Sequence, residues 1–548
     1  MKKSSSKPCS IPTYRPTARA ITKVSNRIVC TGLILLATGC ASQSAISELA
    51  KKLPLPEQWQ TQAAQPQTDI HRVAEPASDR QLDGGELTSN QGVAGEWQSI
   101  VNSELLNKLI RAGLANNYQL KASYQNLLVT KEQLNIADAN DFPELSLAIN
   151  QSRRKSVSAE QASFSNSADL SLQLSYELDI WGKLSAEQRQ TQLEYSAAKL
   201  DFNQRKNDLI SQIVSSWYAL AQAQTLVNLY QGRAANLLNN LDIINASYKL
   251  GLTDALDVYL AQNEVNSEQA RVDAQQQVVL ERQRELELLV ASYPKGHLVK
   301  NTRFELPTFA KQSLSELPAS VLTNNFELQS SWLSLLAADA GVAVAHKQRF
   351  PSIRLTASGG DSSDELGNLL SGNPLAWSIS GAITAPLFNA GRLKSLEQQA
   401  RLQVKAQEQA YLDQVYGKFA DIENQISKHS ALTKQLSHIQ QAKDNAIAAE
   451  DLSFDQYLKG LVNYTTVLEA QRRAFDAQTN LVEITHQIIQ NRIAMLTSIG
   501  GKNIGAMLAD GNLSKNNDGA IAFASSTLAE TQQVTSDSNR VEKHHDVQ

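Results

Sequence analysis

Proline, cysteine and long apolar runs are all scarce in this chain, and each scarcity narrows what it can be. Only 14 of its 548 residues are Pro, with none between Pro143 and Pro294 and none after Pro386. Pro breaks helices because it lacks the amide proton they need, so these windows permit helices far longer than usual. The three Cys are Cys9, Cys30 and Cys40. Two of them fall in a segment that reads as cleaved, so no disulfide is expected within the body. After residue 40 there is no unbroken apolar run of about 18 residues, and no bilayer-spanning helix is predicted. A passage through a membrane would then be made by strands. Reaction chemistry is also thin. His429 and His438 stand nine apart, unlike the i, i+4 pair of a helical zinc site. The sequence GGKN at 500–503 lacks the spacing and the hydroxyl of a phosphate-binding loop. An enzyme is not expected.

The first forty residues are of another kind. Lys2, Lys3, Lys7, Arg15, Arg19, Lys23 and Arg27 precede the apolar stretch IVCTGLILLATGC, which ends at Cys40. A basic start followed by a short apolar segment is a secretory signal. Ala37, Thr38 and Gly39 before Cys40 resemble the bacterial lipobox, with Ala37 where that motif usually has Leu. The resemblance implies that residues 1–39 are removed and that the Cys40 thiol carries a covalent lipid. Ala41 after it implies sorting to the outer membrane. No other cofactor and no metal are expected. Residues 1–39 hold seven of the 51 Lys and Arg and none of the 55 Asp and Glu, so the remainder carries a net charge of −11. Such an acidic body argues against nucleic acid.

What the body does have is a duplication. LANNYQL from Leu114 returns as LTNNFEL from Leu322, about 208 positions later. At nearly the same offset FPELSL (Phe142–Leu147) returns as FPSIRL (Phe350–Leu355), WGKL (Trp181–Leu184) as AGRL (Ala390–Leu393), and YKLGL (Tyr248–Leu252) as YLKGL (Tyr457–Leu461). Val258, Ala261 and Gln262 align with Val467, Ala470 and Gln471. Collinear matches at one offset mean two copies of a unit of roughly 200 residues, far longer than a solenoid repeat.

Each unit reads as strands followed by very long helices. In LSLQLSYEL (Leu170–Leu178) Leu170, Leu172, Leu174, Tyr176 and Leu178 alternate with polar residues, the pattern of a two-faced strand. Trp377–Leu387 alternates likewise, and ELSLAIN near Leu145 and SIRLTAS near Ile353 do so more weakly. Ser152–Ala168 and Ser358–Pro374 read as polar loops between strand pairs. Two hairpins give four strands per chain, whereas the smallest bacterial barrels have about eight. In lipid every backbone amide and carbonyl must be paired, so strands in a membrane would have to be completed by other copies. Downstream, Leu184–Leu250 and Leu393–Lys459 contain no Pro and one Gly each, Gly232 and Gly417. A helix of about 67 residues would reach roughly 100 Å. Ala234, Leu237, Leu241, Ile244 and Tyr248 form a narrow heptad-like seam, suited to packing sideways in the wall of a tube or to a plain coiled-coil rod. Gly251 and Gly460 mark the helix ends. Thr253–Ser292 and Asn463–Ile499 are the antiparallel return segments.

With these pieces in place the chain resembles the TolC family of outer-membrane efflux proteins, in its lipoprotein branch. The residues that carry the resemblance are the lipobox at Cys40, LPLPEQW (Leu53–Trp59), LSYELDIWGK (Leu174–Lys183), RFPSIRL (Arg349–Leu355) and the two Gly-Leu tips, over about residues 53–503. One departure is Asn324, Asn325, Phe326 and Glu327, where that branch usually has Arg-Arg-Pro-Asp. The resemblance implies a mainly α fold with a membrane β-barrel part: a homotrimer whose four strands per chain close a twelve-stranded barrel above a periplasmic α-helical barrel. The expected divisions are a signal peptide (1–39), a lipid-anchored linker and equatorial segment (40–100), a first repeat (101–293), a linker (294–318), a second repeat (319–503) and a polar tail expected to be disordered (504–548).

The implied function is the exit duct of a tripartite efflux system, passively conducting drugs, metal ions or other small solutes delivered by an inner-membrane pump and a periplasmic adaptor. A secretion duct for polypeptides and a periplasmic helical scaffold are the alternatives. Tyr248, Gly251, Asp257, Tyr457, Gly460, Thr466 and Glu469 are implied at the periplasmic gate, with Trp181 as a membrane-interface anchor. Tyr457 and Asp257 are the expected hydrogen-bonded pair across the two hairpins, and Val462 stands where relatives often supply an Arg. The competing role for Asp257 is support of its own helix start through the helix dipole. Glu469 falls where relatives carry an acidic ring in the lumen, which would favour cations. Arg472 and Arg473 beside it favour instead a neutralised, solvated helix face.

Overall fold

The computed structural model describes residues 97–500, apart from 98, 102, 159–160, 300–306, 308–321, 323, 370 and 372–374. Residues 1–96 with Cys40, nearly all of the 294–318 linker after Val299, and the 504–548 tail lie outside the described residues. All that is described belongs to one compact unit, Leu55–Gln548.

The duplication is visible element by element. The first repeat runs α1 (Glu104–Asn116), α2 (Tyr118–Ala139), β1 (Glu144–Ser158), β2 (Gln161–Leu178), α3 (Lys183–Lys249) and α4 (Ala255–Leu289). The second runs α5 (Phe326–Lys347), β3 (Ser352–Ser363), β4 (Ala376–Thr384), α6 (Arg392–Leu458) and α7 (Tyr464–Ile499). Helices α3 and α6 are each 67 residues long, about 100 Å of helix. The absence of Pro permits this length, and packing of α3 on α4 and of α6 on α7 sustains it.

The repeated Asn of the sequence explains how each repeat begins. Asn117 caps α2: its Oδ1 accepts the Leu120 amide at 2.9 Å while its Nδ2 donates to the Leu289 carbonyl at 2.9 Å. Asn325 does the same for α5, accepting from Leu328 at 3.1 Å and donating to the Ser498 carbonyl at 2.9 Å. One buried amide therefore caps the entering helix and fastens it to the last turn of the return helix. Few other side chains offer a donor and an acceptor at that spacing.

The strands form one antiparallel sheet in the order β1-β2-β3-β4. Cross-strand partners share a face, as in Leu145↔Leu174, Leu147↔Leu172 and Leu174↔Ala357. That face exposes Leu145, Leu147, Ile149, Leu172, Leu355, Trp377, Ile379 and Ile383. The opposite face is lined by hydroxyls that pair with one another: Ser152 with Ser167 at 2.9 Å, Ser156 with Ser163 at 2.7 Å and Ser358 with Ser378 at 2.8 Å.

One sequence expectation is corrected. The stretch expected as a polar loop at Ser152–Ala168 is mostly ladder: β1 and β2 stay paired from Glu144↔Ser175 out to Ser158↔Gln161. Likewise β3 continues to Ser363. Backbone pairing and serine–serine bonds hold these ends without apolar alternation, so the pattern gave no signal. Helix α5, with 22 residues and an 18-residue window of mean hydropathy 1.2, is long and apolar enough for a membrane span by length and composition alone. Its side chains instead pack within the protein. Ser330 Oγ donates to the Ala197 carbonyl of α3 at 3.1 Å, and Glu327 pairs with Lys418 of α6 at 2.7 Å. Ser and Asp interrupt its apolar run, which hid it from a search for unbroken stretches.

Candidate functional site: the hairpin tips

Both helical hairpins turn in the same way. At the end of α3 the Gly251 amide donates to the Tyr248 carbonyl and the Leu252 amide to the Ser247 carbonyl, each at 2.9 Å. At the end of α6 the bonds Gly460 to Tyr457 and Leu461 to Gln456 repeat them, each at 2.9 Å. This double bond pattern needs a left-handed residue, and Gly251 and Gly460 supply it with φ of 73° and 72°. The tips present Leu250, Leu252 and Leu461 with 70% or more of their surface exposed. Helix α7 restarts on Asn463, whose Oδ1 accepts the Thr466 amide at 3.1 Å and the Thr466 hydroxyl at 2.8 Å.

Across the two hairpins three polar side chains converge. Tyr457, in the last turn of α6, donates its hydroxyl to Asp257 Oδ2 at 3.0 Å, and Asp257 lies in the first turn of α4. Thr253 donates to the same oxygen at 2.6 Å and lies 3.0 Å from the Tyr457 hydroxyl. Beneath them the Tyr464 ring sits 5.3 Å from that of Tyr457, in a core with Leu237, Leu241, Ile244, Ala261, Val265 and Val467. Burial, and then the neighbouring Asp257 carboxylate, push the Tyr457 phenol up from its ordinary value. The phenol stays protonated and available as a donor. Burial above all pushes Tyr464 up too, and its hydroxyl has no hydrogen-bond partner among the described residues. That ring serves packing.

The other expected tip residues are placed apart from this trio. Tyr248 is half exposed beside its turn, and Thr466 bonds to its own helix cap. Glu469 forms ion pairs with Arg472 and, at 2.9 Å, with Arg473, and hydrogen bonding from Arg473 foremost holds its carboxyl below the usual range. Trp181 is half-buried at the far end of the helices, stacked on Phe350 at 5.3 Å and donating to the Pro351 carbonyl at 2.6 Å. It thereby clips the end of β2 to the start of β3.

Sequence reasoning missed Thr253 and Tyr464. A signal existed for the first. Under the repeat offset Thr253 answers to Val462 and Asp257 to Thr466, so the two copies differ where one hairpin contacts the other. It also missed an ion-pair network nearer the middle of the hairpins. Arg233 of α3 reaches Glu264 at 2.9 Å and Glu268 at 3.3 Å, both on α4, and its guanidinium lies 4.0 Å from the Phe475 ring of α7. At the junction with the strands Glu397 accepts from Arg349 at 2.7 Å and Arg401 at 2.8 Å. Burial opposes ionisation of Glu397, yet donation from Arg401, Arg349 and His346 outweighs it and holds its carboxyl at about 2.

Known proteins share this arrangement. The sequence profile described as outer membrane efflux protein matches twice, at residues 109–292 and 317–501. The solvent efflux pump outer membrane protein SrpC of Pseudomonas putida is 27% identical over 398 residues, 72% of this chain and 84% of that one. The probable outer membrane lipoprotein SilC of Salmonella typhimurium is 24% identical over 408 residues, 74% of this chain and 87% of that one. Among solved structures, the Campylobacter jejuni CmeC outer membrane channel superposes with a TM-score of 0.69 at 20% identity, covering 81% of this chain and 99% of that one. The two matches cover both copies of the duplicated unit, and the chain belongs to the outer membrane efflux protein family.

Proposed function

We propose that three copies of this chain close a passive outer-membrane duct, anchored by lipid on Cys40, through which small solutes leave after delivery by a periplasmic adaptor and an inner-membrane pump. The single observation that carries the proposal is the four-stranded sheet. Among the described residues its outer strands, β1 and β4, are open edges, and the apolar side chains of one face are exposed. A sheet edge in lipid must be paired, so β4 of one copy joins β1 of the next. The opposite face then lines the lumen. It is lined chiefly by hydroxyls, and Glu177 there is compensated by Lys183 and by Arg354 at 3.8 Å. Such a wall conducts without strong charge selection, which suits solutes of varied chemistry.

The tip trio closes the duct at rest. Tyr457, Thr253 and Asp257 tie one hairpin to the other, and an adaptor seated on the exposed leucines opens the tips by displacing these bonds. The test is extraction of the full chain in mild detergent, mass measurement and insertion into a planar bilayer. Discrete conductance from a trimer is expected. A monomer, or fractionation with soluble periplasmic contents, overturns the proposal.

A further inference from the structure

The β1–β2 hairpin is longer than β3–β4, with strands of 15 and 18 residues against 12 and 9. Its extra length lies at the end remote from the helices. On the apolar face the register runs Leu145↔Leu174, Leu147↔Leu172, Ile149↔Leu170, then Gln151↔Ala168, Arg153↔Asn166 and Lys155↔Phe164. The apolar band therefore gives way to a basic and aromatic cluster on the same outward face. Arg153 and Lys155 lie four and six residues beyond Ile149, about 13–20 Å along the strand and less in height, since barrel strands tilt by about 40°. On the duct reading both lie toward the outer headgroup zone, which long basic side chains also reach by bending along the wall.

The cluster is shaped to receive an anion. The Arg153 guanidinium lies 5.1 Å and the Lys155 ammonium 5.7 Å from the centre of the Phe164 ring. The ring face steadies both cations without neutralising either. Among the described residues no ion pair engages Arg153 or Lys155. Arg154 occupies the alternate, lumen-facing position opposite Ser165. It carries the same charge on the wrong side of the wall.

We infer that Arg153, Lys155 and Phe164 form a binding site for phosphorylated lipid headgroups of the outer leaflet, one per copy around the barrel. Two neighbouring cations match a lipid phosphate in charge, and Arg adds a planar fork for its oxygens. The inference rests on the duct reading, which sets the orientation of the sheet.

The test uses the intact oligomer in phosphatidylcholine nanodiscs doped with bisphosphorylated lipid A, with bound lipid A measured by native mass spectrometry. The Arg153→Gln/Lys155→Gln double variant is expected to reduce binding about tenfold or more, whereas Arg154→Gln leaves it unchanged. Dephosphorylated lipid A is expected to bind the wild type as weakly as lipid A binds the double variant, and millimolar inorganic phosphate not to displace the lipid. Equal binding by wild type and double variant overturns the site, as does a loss that Arg154→Gln reproduces. Displacement by inorganic phosphate also overturns it, marking a general anion site. If the double variant falls into single copies, the cluster pairs instead with carboxylates of the adjoining copy, and the lipid assignment fails. A wild type absent from the outer membrane refutes the duct itself, a result distinct from an intact oligomer indifferent to lipid A.

Discussion

At Tyr457 a single hydroxyl joins two hairpins, and its neighbour Tyr464 shows by contrast what the oxygen is for. The two rings lie tilted with their centroids 5.3 Å apart, but among the described residues only the Tyr457 hydroxyl has partners, Asp257 and Thr253. A hydrogen bond to a carboxylate contributes about 1.5–3 kcal/mol, so Tyr457→Phe is expected to raise the open probability of the isolated channel roughly tenfold or more in a planar bilayer. Tyr464→Phe removes an oxygen that bonds to nothing described and is expected to leave conductance unchanged. Equal behaviour of the two variants would remove Tyr457 from the gate. At this scale the sequence was least legible. Tyr457 and Asp257 were reached through resemblance, because a Tyr and an Asp 200 residues apart carry no mutual signal in a bare sequence. Thr253 hid in a short turn. Glu469, for which a lumen ring and an Arg-neutralised solvated face were both open, pairs with Arg472 and Arg473 of its own helix.

Among the elements, α3, α4 and α7 meet around Arg233, and there electrostatics decides stability. Glu268 is 1% exposed and draws its compensation from Arg233 at 3.3 Å and Arg271 at 3.9 Å. Burial first of all pushes its carboxyl above the ordinary 4.5, against the pull of both Arg. Removing one partner of a buried pair costs about 3–5 kcal/mol, so Arg233→Gln is expected to lower the thermal midpoint by several degrees. The pH dependence has a definite sign. Without Arg233 the folded-state value of Glu268 rises further above 4.5, so the folded state binds the extra proton and stability grows as pH falls. The midpoint of Arg233→Gln is therefore expected to recover in part between pH 8 and pH 5. A loss that is flat with pH would show that Arg233 matters through Phe475 packing and not through charge. Elements were the most legible scale: 67-residue helices follow from windows without Pro, and the tips follow from Gly251 and Gly460. The outer ends of the strands were not legible, since serine-rich ladder and serine-rich loop have the same composition and differ only in backbone pairing across the hairpin.

For the whole molecule the question is whether the edges of the sheet are truly edges. Duplication was readable from short segments matched at one offset, but closure between copies leaves no pattern in one chain; it follows from the open outer strands of a four-stranded sheet and the need to pair every backbone group in lipid. Strand β4 offers a direct test. Successive amides along a strand point to opposite sides, so of Ile379 and Ser380 one donates toward β3 and the other toward the open edge. Pro removes the amide proton at either place. In a lone chain the edge-facing amide has no strand beside it, and Pro there is tolerated, as it is on edge strands generally. In a closed ring of copies no edge exists, and both positions lie inside a ladder. Ile379→Pro and Ser380→Pro are therefore both expected to abolish the trimer in mild detergent while the helical circular dichroism of α3, α4, α6 and α7 persists. One variant that keeps its trimer while the other loses it would mean that β4 ends the sheet, and the wall of the duct would have to be built some other way.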